Sequence, residues 1–448
     1  MNKRSTFGSR FGAIAVVGGS AVGLGNIWKF PYVAGENGGG AFILIYIVIC
    51  FLIAVPVMMA EFAIGRAGRG NALGSVKRLT PRKGWRGIGY LSILSAFIIL
   101  PFYCVIAGWS VEFLVDSVAN NFAGNDAAGI AEMFNGFVAG GWRPIMWSVL
   151  FLGICCGVVG LGIEKGIERY SKVLMPLLVL LLVGISIYSA TLNGFGESVK
   201  FLFRPDFGKI DGSVVIQALG QAFFSMSIGM GAMITYGSYI KKEENLSRVA
   251  GTVAVVDVLV AVLAGLAIFP AVFSFGISPS SGPDLVFLTL PTLFGQMAGG
   301  YVISIMFFIL LLFAAMTSVF SLLEVLICYF SEEFKMSRWG ATGLTFAGIA
   351  VLAALCALSQ MPGSGLVIGG RNLFDIFDYT SANFLLPVGG IAITIFAGWI
   401  MDKKVLKDQF TGGGRFMVRL YPAIRFMIRF VIPLAIAVMF LSLVGFLK

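Results

Sequence analysis

Two runs rich in glycine, serine and asparagine interrupt long apolar stretches of the chain. Residues 18–26 read GGSAVGLGN and residues 225–231 read SMSIGMG. These residue types favour a break in a helix, because glycine is conformationally free and short polar side chains compete for backbone hydrogen bonds. A break inside a bilayer is tolerated only where it is buried or lines a cavity, since lipid cannot satisfy free carbonyl and N–H groups. The runs therefore predict backbone groups that bind ions, although each could instead serve only close helix packing.

One carboxylic acid stands in the middle of another apolar stretch. Asp257 lies within residues 249–276, which contain no lysine or arginine. A charged side chain at membrane depth is costly and marks a functional site by default, with a partner expected nearby. We therefore predict a functional role for Asp257, and a structural salt bridge is the alternative.

The elements that hold these residues must be membrane-spanning helices. Of the 448 residues, 58% are hydrophobic and 12% are charged, whereas soluble domains average about 25% charged residues. A transmembrane helix needs about 20 apolar residues. The pattern predicts an all-α integral membrane protein with eleven spans, near residues 11–35, 41–65, 88–118, 144–161, 167–190, 214–239, 249–276, 299–330, 341–357, 374–400 and 424–446.

The distribution of charge predicts how the chain is oriented. Most of the 32 lysine and arginine residues fall in the loops that would be cytoplasmic if the N-terminus is inside, as the positive-inside rule requires. An odd number of spans then places the C-terminus outside. The net charge of +10 needs no nucleic-acid partner, because the basic residues form neither a basic face nor an RNA-binding motif.

The chain lacks common enzymatic residues. It contains no histidine, and its six cysteines lie inside apolar runs without a CxxC pair, so we interpret them as buried thiols and do not expect a metalloenzyme. An intramembrane enzyme is a distant alternative, because serine and aspartate are present but no nucleophile motif is.

The spacing of the two interruptions predicts the architecture. They lie five spans apart, at corresponding places in a five-plus-five arrangement, which is typical of inverted-repeat transporters with a site at the bilayer midplane. We expect one transmembrane domain over residues 1–448. Its parts are a first repeat at about 11–190, a second at about 214–400 and an extra helix at about 424–446.

The residues at these interruptions resemble a known transporter family. Residues 21–32 read AVGLGNIWKFPY and residues 36–42 read ENGGGAF, which is similar to the first-helix signature of the neurotransmitter:sodium symporter family. Further matches are GQAFFS at 220–225, TYGSY at 235–239 and FAAMTS at 313–318. Eleven spans are similar to the bacterial branch, which implies a multi-pass protein of a bacterial inner (plasma) membrane.

The resemblance implies two Na⁺ sites. In the first, the carboxylate of the cargo is itself a ligand, so cation and cargo bind as one unit. Its protein ligands would come from Ala21, Asn26, Ser225 and Asp257. The second site would join the first and eighth spans through groups of Gly19, Val22, Ala314, Thr317 and Ser318. Without the resemblance, the last two hydroxyls could serve helix packing alone.

The resemblance also implies an α-amino acid as cargo. Backbone N–H groups around Leu24 and Gly25, with the Tyr103 hydroxyl, would hold its carboxylate, as unpaired donors at a half-helix N-terminus favour an anion. Gly23 stands where monoamine carriers of the family have Asp, and it leaves room for that carboxylate. The ammonium would bind oxygens of Ala21, Phe224, Ser225 and Ser227.

Side-chain selectivity is assigned by the same resemblance. No charged group is expected to face this subsite, so a charged cargo side chain would be left unpaired at high cost. Neutral hydrophobic or aromatic amino acids are therefore favoured, although each of these residues alone could be plain helix packing. The lining residues would be Ile99, Tyr103, Phe224, Met230 and Leu322, with Ser318 and Ser321 nearby.

A fixed carboxylate at Asp257 predicts transport that is independent of chloride. Many family members have Asn at this position and use chloride to supply the charge, whereas a carboxylate makes a bound anion redundant and repels it. Proton antiport is a further option when Asp257 holds no Na⁺. The positions that match the chloride site are Tyr46, Gln221, Ser225, Asp257 and Ala261.

Two layers of gating residues follow from the resemblance. Lys29 and Asp378 match an outer pair, with Phe224 and Tyr103 as a thin lid. The family usually has Arg in place of Lys29, and lysine cannot make the bidentate contact of a guanidinium. The inner layer would consist of Arg4, Phe7, Ser238, Tyr239 and Glu332.

Taken together, the sequence predicts a sodium-coupled symporter of neutral, hydrophobic or aromatic amino acids that works by alternating access. The expected partners are a small-molecule amino acid and the lipid bilayer, without nucleic acid. The alternative is a membrane amino-acid sensor that keeps the binding fold without transport.

Overall fold

The computed structural model is almost entirely helical and describes residues 5–279 and 285–446. Arg4, which the resemblance assigns to the inner gate, lies outside the described residues. In the first half of the chain the α-helices are α1 Arg10–Ala21, α2 Phe30–Glu36, α3 Gly40–Ile49, α4 Val55–Gly68, α5 Ala72–Leu79, α6 Gly87–Val118, α7 Ala127–Ala139, α8 Trp142–Gly160 and α9 Arg169–Ser189.

The second half is built in the same way. Its α-helices are α10 Phe195–Phe203, α11 Gly212–Ser225, α12 Ala232–Gly237, α13 Leu246–Ser274, α14 Thr289–Gln296, α15 Gly300–Glu333, α16 Arg338–Ser359, α17 Leu373–Thr380, α18 Leu386–Ile395, α19 Lys403–Thr411, α20 Tyr421–Phe426 and α21 Ile432–Leu443. A short hairpin of β1 Val367–Ile368 and β2 Arg371–Asn372 precedes α17.

Short turns of 3₁₀ helix, which is tighter than an α-helix, or of π-helix, which is wider, join several of these helices into longer rods. Single-residue widening into a π-helical turn keeps the backbone hydrogen-bonded while the axis shifts. The π-helical turns are Gly25–Lys29, Cys50–Ala54, Ile163–Glu168, Ser381–Leu385, Phe396–Ile400 and Met427–Val431, and the 3₁₀ turns are Lys83–Arg86 and Phe207–Lys209.

The helices long and apolar enough to cross a bilayer agree closely with the predicted spans. Over residues 5–279 and 285–446, nine unbroken rods meet this criterion, and the bent pair α1 and Gly25–Glu36, with 46° between its halves, supplies one more. The predicted span at 214–239 consists of α11 and α12 on either side of a break. The nine rods are Gly40–Gly68, Lys83–Val118, Trp142–Gly160, Ile163–Ser189, Leu246–Ser274, Gly300–Glu333, Arg338–Ser359, Leu373–Ile400 and Tyr421–Leu443.

The first predicted break is present at the end of α1. The helix ends at Ala21, and Val22 has extended backbone angles of φ −80° and ψ 90°. The Asn26 side chain then accepts a hydrogen bond of 3.2 Å from the N–H of Gly23. This local bond satisfies one donor that the interruption frees, and the helical path resumes at Gly25.

The second predicted break separates α11 from α12. Backbone φ is positive at Ser227, Gly229 and Gly231, with values of +51°, +86° and +77°. Such left-handed conformations cost an L-residue about 1–2 kcal/mol, which explains two glycines in this short run. Ser227 tolerates the conformation while its hydroxyl donates to the carbonyl of Ser20 at 2.7 Å. The two breaks are therefore in direct contact.

Long straight helices surround the two broken spans. The helix α1 packs against α9, α13 and α15, while α12 packs against α4 and α15. The buried core consists of aliphatic and aromatic side chains from all of these helices. Because a continuous helix satisfies most of its own backbone, the two breaks present free carbonyl and N–H groups to the interior.

The segment before α1 is attached to the fifth span. The buried carboxylate of Glu168 accepts hydrogen bonds from the N–H groups of Gly8, at 2.8 Å, and Ser9, at 3.3 Å. Lys172, one turn further along α9, pairs with the same carboxylate at 2.6 Å. The Ser9 hydroxyl caps α1 by accepting from the N–H of Gly12. One carboxylate thus fixes where the first helix begins.

Candidate functional site

A buried carboxylate lies between the two breaks. Asp257, on α13, is fully buried. Its Oδ2 accepts a hydrogen bond of 2.5 Å from Tyr46, and its Oδ1 accepts from Ser225 at 2.5 Å and Asn26 at 2.9 Å. Across residues 5–279 and 285–446, no lysine or arginine forms a salt bridge with Asp257. Since all three donors are neutral, no described cationic side chain balances a charge on this carboxylate, and a bound cation would do so.

The residues that match the chloride site lie on three spans around this carboxylate. Tyr46 and Ser225 bond Asp257 directly, as above. Gln221, one turn before Ser225, donates from Nε2 to the carbonyl of Gly25 at 2.7 Å. Its Oε1 is buried and has no hydrogen-bond partner in the described part of the chain. Ala261 is buried one turn beyond Asp257 and offers no polar side-chain atom.

A second group of oxygen-bearing residues joins α1 to α15. Gly19 lies so close to Thr317 that a Cβ added to the glycine would stand 3.1 Å from the Cβ of the threonine. The Thr317 hydroxyl donates to the carbonyl of Ala314 at 3.1 Å, and the Ser318 hydroxyl lies 3.3 Å from the carbonyl of Ser20. Val22 follows at the end of α1. The residues assigned to the second Na⁺ site are thus contributed by two helices in direct contact.

A small cavity lies between the two breaks and α6 and α15. Its volume is about 20 Å³, which is room for roughly one water molecule. The N–H of Leu24 donates to the Tyr103 hydroxyl at 3.1 Å at its edge. No lysine, arginine, aspartate or glutamate lines it among the described residues. The cavity is lined by Ser20, Ala21, Gly23, Gly25, Ile99, Tyr103, Phe224, Ser225, Ser227, Met230, Ser318, Ser321 and Leu322.

Two glycines allow the close approach of helices around this cavity. A Cβ at Gly23 would stand 2.1 Å from Oγ of Ser318 and 2.9 Å from the hydroxyl of Tyr103. A Cβ at Gly25 would stand 3.2 Å from Cα of Ser225. Any side chain at Gly23 must therefore displace two polar groups that line the cavity.

Two aromatic residues, Tyr103 and Phe224, line the cavity, and Lys29 lies against the second of them. Tyr103 and Phe224 are 4% and 7% exposed, and the Lys29 ammonium lies 4.5 Å from the centroid of the Phe224 ring. Lys29 and Asp378 form no salt bridge within the described residues. The structure thus places the lysine in a cation–π contact with the ring of Phe224.

Phe7, before α1, is buried against the end of α12. Its side chain is 2% exposed and makes edge-on contacts with the rings of Tyr236 and Tyr239. Its N–H donates to the carbonyl of Tyr239 at 3.1 Å. The segment before α1 therefore packs against the C-terminal end of α12.

The other inner residues lie on neighbouring helices. Ser238 is buried beside Tyr239 and donates to the carbonyl of Thr235 at 2.5 Å. Glu332, near the end of α15, accepts from the N–H of Asn71 at 2.8 Å and from its side-chain amide at 3.0 Å. Glu332 therefore links the eighth span to the N-terminus of α5.

Comparison with known proteins identifies the family. The family model of the Sodium:neurotransmitter symporter family matches residues 4–135 and 132–447. The chain belongs to this family. The symporter is therefore a sodium-dependent multi-pass transporter and not an enzyme, as the sequence predicts.

Individual relatives of the symporter agree with this assignment. An uncharacterized sodium-dependent transporter of Bacillus subtilis, YhdH, is 37% identical over 440 residues, which cover 98% of each chain. A sodium- and chloride-dependent GABA transporter of Drosophila melanogaster is 28% identical over 88% of this chain and 46% of its own. The crystal structure of MhsT in complex with L-phenylalanine has a TM-score of 0.90 and 41% identity, covering 98% of this chain and 100% of that one.

The sequence analysis did not identify two buried glutamates of the symporter as site residues. Glu61 on α4 is fully buried, and its Oε1 accepts from the N–H of Gly229 in the second break at 2.7 Å. Glu324 on α15 pairs with Arg338 at 2.6 Å and accepts from the Tyr239 hydroxyl at 2.6 Å. Each interrupts an apolar run of its span as Asp257 does, and this signal could have identified both.

Proposed function

We propose that the symporter couples the inward movement of Na⁺ to uptake of neutral, hydrophobic or aromatic amino acids. The observation that carries the proposal is the cavity between the two helix breaks, which combines backbone polar groups with an uncharged lining. An α-amino acid has the matching chemistry, because its two charged groups can bind backbone and hydroxyl groups while its side chain enters the apolar part.

The cargo carboxylate and ammonium would bind opposite sides of the cavity. The Leu24 N–H donates to the Tyr103 hydroxyl at 3.1 Å, and in this proposal both groups would donate to the cargo carboxylate instead. Carbonyls of Ala21, Phe224 and Ser225, with the Ser227 hydroxyl, are the acceptors for the ammonium. The absence of a Cβ at Gly23 leaves this region free of a competing side chain.

The apolar end of the cavity sets the class of cargo. Ile99, Phe224, Met230 and Leu322 line it, and a charged cargo side chain there would lose hydration without gaining a partner. The flexible thioether of Met230 can repack around different shapes. MhsT, which was solved with L-phenylalanine, supports an aromatic cargo for this chain. Because the cavity holds about 20 Å³, the lining must move apart as the cargo enters.

Two Na⁺ ions would stabilise the cargo-bound arrangement. The first would lie beside Asp257, with ligands from Ala21, Asn26, Ser225 and the cargo carboxylate. The second would lie between α1 and α15, with ligands from Gly19, Val22, Ala314, Thr317 and Ser318. Because the cargo completes the first ion site, each ligand raises the affinity for the other, which is the coupling that symport requires.

The charge of Asp257 makes chloride unnecessary in this proposal. The carboxylate occupies the place where a bound anion would balance the Na⁺ charge, and Ala261 contributes no polar group there. Chloride would be repelled by the carboxylate at short range in a medium of low dielectric constant.

Alternating access would rely on the two closed layers. Phe224, Tyr103 and Lys29, with Asp378, would form the outer layer once Lys29 and Asp378 approach each other, and Phe7, Ser238, Tyr239 and Glu332 would form the inner one, to which we also assign Arg4. We propose that the two five-span repeats, about 11–190 and about 214–400, rock against each other around the breaks. The N-terminus would be cytoplasmic, the C-terminus outside, and the membrane the bacterial plasma membrane.

Uptake in proteoliposomes tests this function. We expect labelled phenylalanine to accumulate against its gradient when Na⁺ is outside, and not when K⁺ replaces it. Excess unlabelled neutral amino acids should compete, whereas glutamate and lysine should not. Binding of phenylalanine without accumulation would instead indicate a sensor, and competition by lysine equal to that by leucine would contradict the uncharged cavity.

A further inference from the structure

A strongly basic pocket lies between α19 and the beginning of the last span. Its volume is about 540 Å³, and no aspartate or glutamate is among its described lining residues. Lys404 also lines a neighbouring surface cavity together with Thr6, so the pocket is on the side of the membrane that holds the N-terminal segment. Its basic residues are Lys403, Lys404, Lys407, Arg425 and Arg429.

Several polar atoms of this pocket lack a protein partner. Nε of Arg425, Nε of Arg429 and the hydroxyl of Tyr421 are buried and have no hydrogen-bond partner in the described part of the chain. Tyr421 is only 7% exposed. None of the pocket's five cations forms a salt bridge with a described acidic residue. Buried donors without acceptors are costly, so the pocket is suited to a ligand that supplies acceptor oxygens.

The depth of Arg429 in the membrane strengthens the need for a ligand with acceptor oxygens. It lies eight residues after Tyr421, the first residue of the last span, which is about 12 Å along the helix axis. Arginine at such a depth normally pairs with an anion or extends to the interface. Its guanidinium carbon lies 3.8 Å from the centroid of the Trp399 ring, whose Nε1 donates to the Arg429 carbonyl at 2.9 Å. This aromatic contact compensates only part of the charge.

An apolar groove continues from the pocket along the same span. Its volume is about 500 Å³, and it runs between the last span, α11 and the second span. Phe430 lines both the basic pocket and the groove. The distance from Tyr421 to Phe430 is about 14 Å along the axis, comparable with one leaflet of the bilayer core, about 15 Å. An acyl chain that begins at the basic pocket and follows the last span therefore ends near Phe430, where the groove begins, and the rest of the groove, toward Val438, lies in the opposite leaflet.

We propose that this pocket binds the headgroup of an anionic phospholipid. Its phosphate would accept hydrogen bonds from Arg425 and Arg429, and one acyl chain would lie along the last span as far as Phe430, at the near end of the apolar groove. The charge of the lining, its place at the membrane interface and the adjoining groove all match one lipid molecule. A free phosphate has the same charge but cannot use the groove.

Quenching of Trp399 fluorescence by brominated lipid tests the proposal. The full chain is placed in phosphatidylcholine nanodiscs that contain brominated phosphatidylglycerol or, in parallel, brominated phosphatidylcholine. The Trp399 signal is the difference between the unmodified chain and Trp399→Phe. We expect phosphatidylglycerol to quench it at a surface fraction about tenfold lower, and Arg425→Gln with Arg429→Gln to abolish this preference.

A matched variant separates the pocket from general surface charge. Lys165→Gln with Arg169→Gln removes two exposed cations near the start of α9 and should leave the preference intact. Quenching by phosphatidylcholine in each variant checks that the fold around Trp399 is unchanged. Equal quenching by both lipids, or equal loss of preference in the matched variant, would overturn the proposal. Complete displacement of phosphatidylglycerol by inorganic phosphate would do the same, because the ligand would then be the phosphate alone.

Discussion

Asn26 and Asp257 are joined by two hydrogen bonds that attach the break in the first span to α13. The Asn26 amide donates to Oδ1 of Asp257 at 2.9 Å and to the backbone carbonyl of the same residue at 3.1 Å. A contact to both side chain and backbone fixes the position of the carboxylate as well as its orientation. The broken segment and the seventh span therefore move together or exchange this pair of bonds.

Asp257→Asn should make transport dependent on chloride. The amide keeps the size of the side chain but removes its charge, so an anion can bind beside Na⁺ without repulsion. The measurement is labelled phenylalanine uptake in Na⁺ with chloride or gluconate as the anion. Asp116→Asn, a change on α6 away from the site, is the control and should transport equally in both anions. A chloride requirement in the unmodified chain would refute the charge argument.

Thr317→Val should weaken Na⁺ binding. The substitution keeps the shape of the side chain and removes the hydroxyl, and hydrogen-bond-like contacts to charged groups contribute about 1.5–3 kcal/mol. We expect the Na⁺ concentration for half-maximal uptake to rise about tenfold or more. Ser304→Ala removes a buried hydroxyl from the same helix and serves as the control. If both variants showed the same Na⁺ dependence of uptake, Thr317 would not be a ligand of the ion.

Gly389→Ala should destabilise the second break. A Cβ at this position would stand 2.1 Å from the carbonyl oxygen of Gly229, and this backbone atom cannot move without shifting the break. Overpacking of this kind costs about 1–3 kcal/mol, so the midpoint temperature of thermal unfolding in detergent should fall. The affinity for phenylalanine should fall as well, because the break lines the cavity. Gly343→Ala, where nothing lies within 4 Å of the added Cβ, should leave both unchanged. An unfolding temperature of Gly389→Ala equal to that of the unmodified chain would mean that the backbone at Gly229 shifts to accept the added Cβ at little cost.

Arg338→Gln should destabilise the inner half of the protein, and a second substitution should restore it. The change leaves the fully buried Glu324 without its cation, and an uncompensated buried charge costs about 3–5 kcal/mol. Adding Glu324→Gln removes that charge, so the double variant should unfold at a higher temperature than Arg338→Gln alone. If the double variant lost as much unfolding temperature as the sum of the two single variants, the two residues would act independently.

The sequence was sufficient for the spans and the breaks because both are local patterns. Apolar runs fix which segments cross the membrane, and the glycines at 229 and 231 mark where positive φ is required. Asp257 was identifiable for the same reason, since a lone carboxylate in an apolar run is visible without knowledge of its neighbours.

Contacts between distant segments could not be predicted in the same way. Nothing in the order of residues indicates that Lys29 lies over the Phe224 ring, because the reach of a flexible side chain depends on the packing of both helices. The bond between Glu61 and the N–H of Gly229 joins residues 168 positions apart and likewise follows from tertiary packing. The roles assigned to the gate and ion-site residues are predictions, and the Asp257 and Thr317 variants test those of the ion sites.

The attachment of Gly8 and Ser9 to Glu168 has a practical consequence for anyone who handles the protein. An affinity tag or fluorescent fusion placed directly before Phe7 would strain the hydrogen bonds of Gly8 and Ser9 to Glu168 and the ring contacts of Phe7 at the end of α12. Purification tags and reporters are therefore better attached after the last helix, where a bulky addition does not strain the contacts at the start of α1.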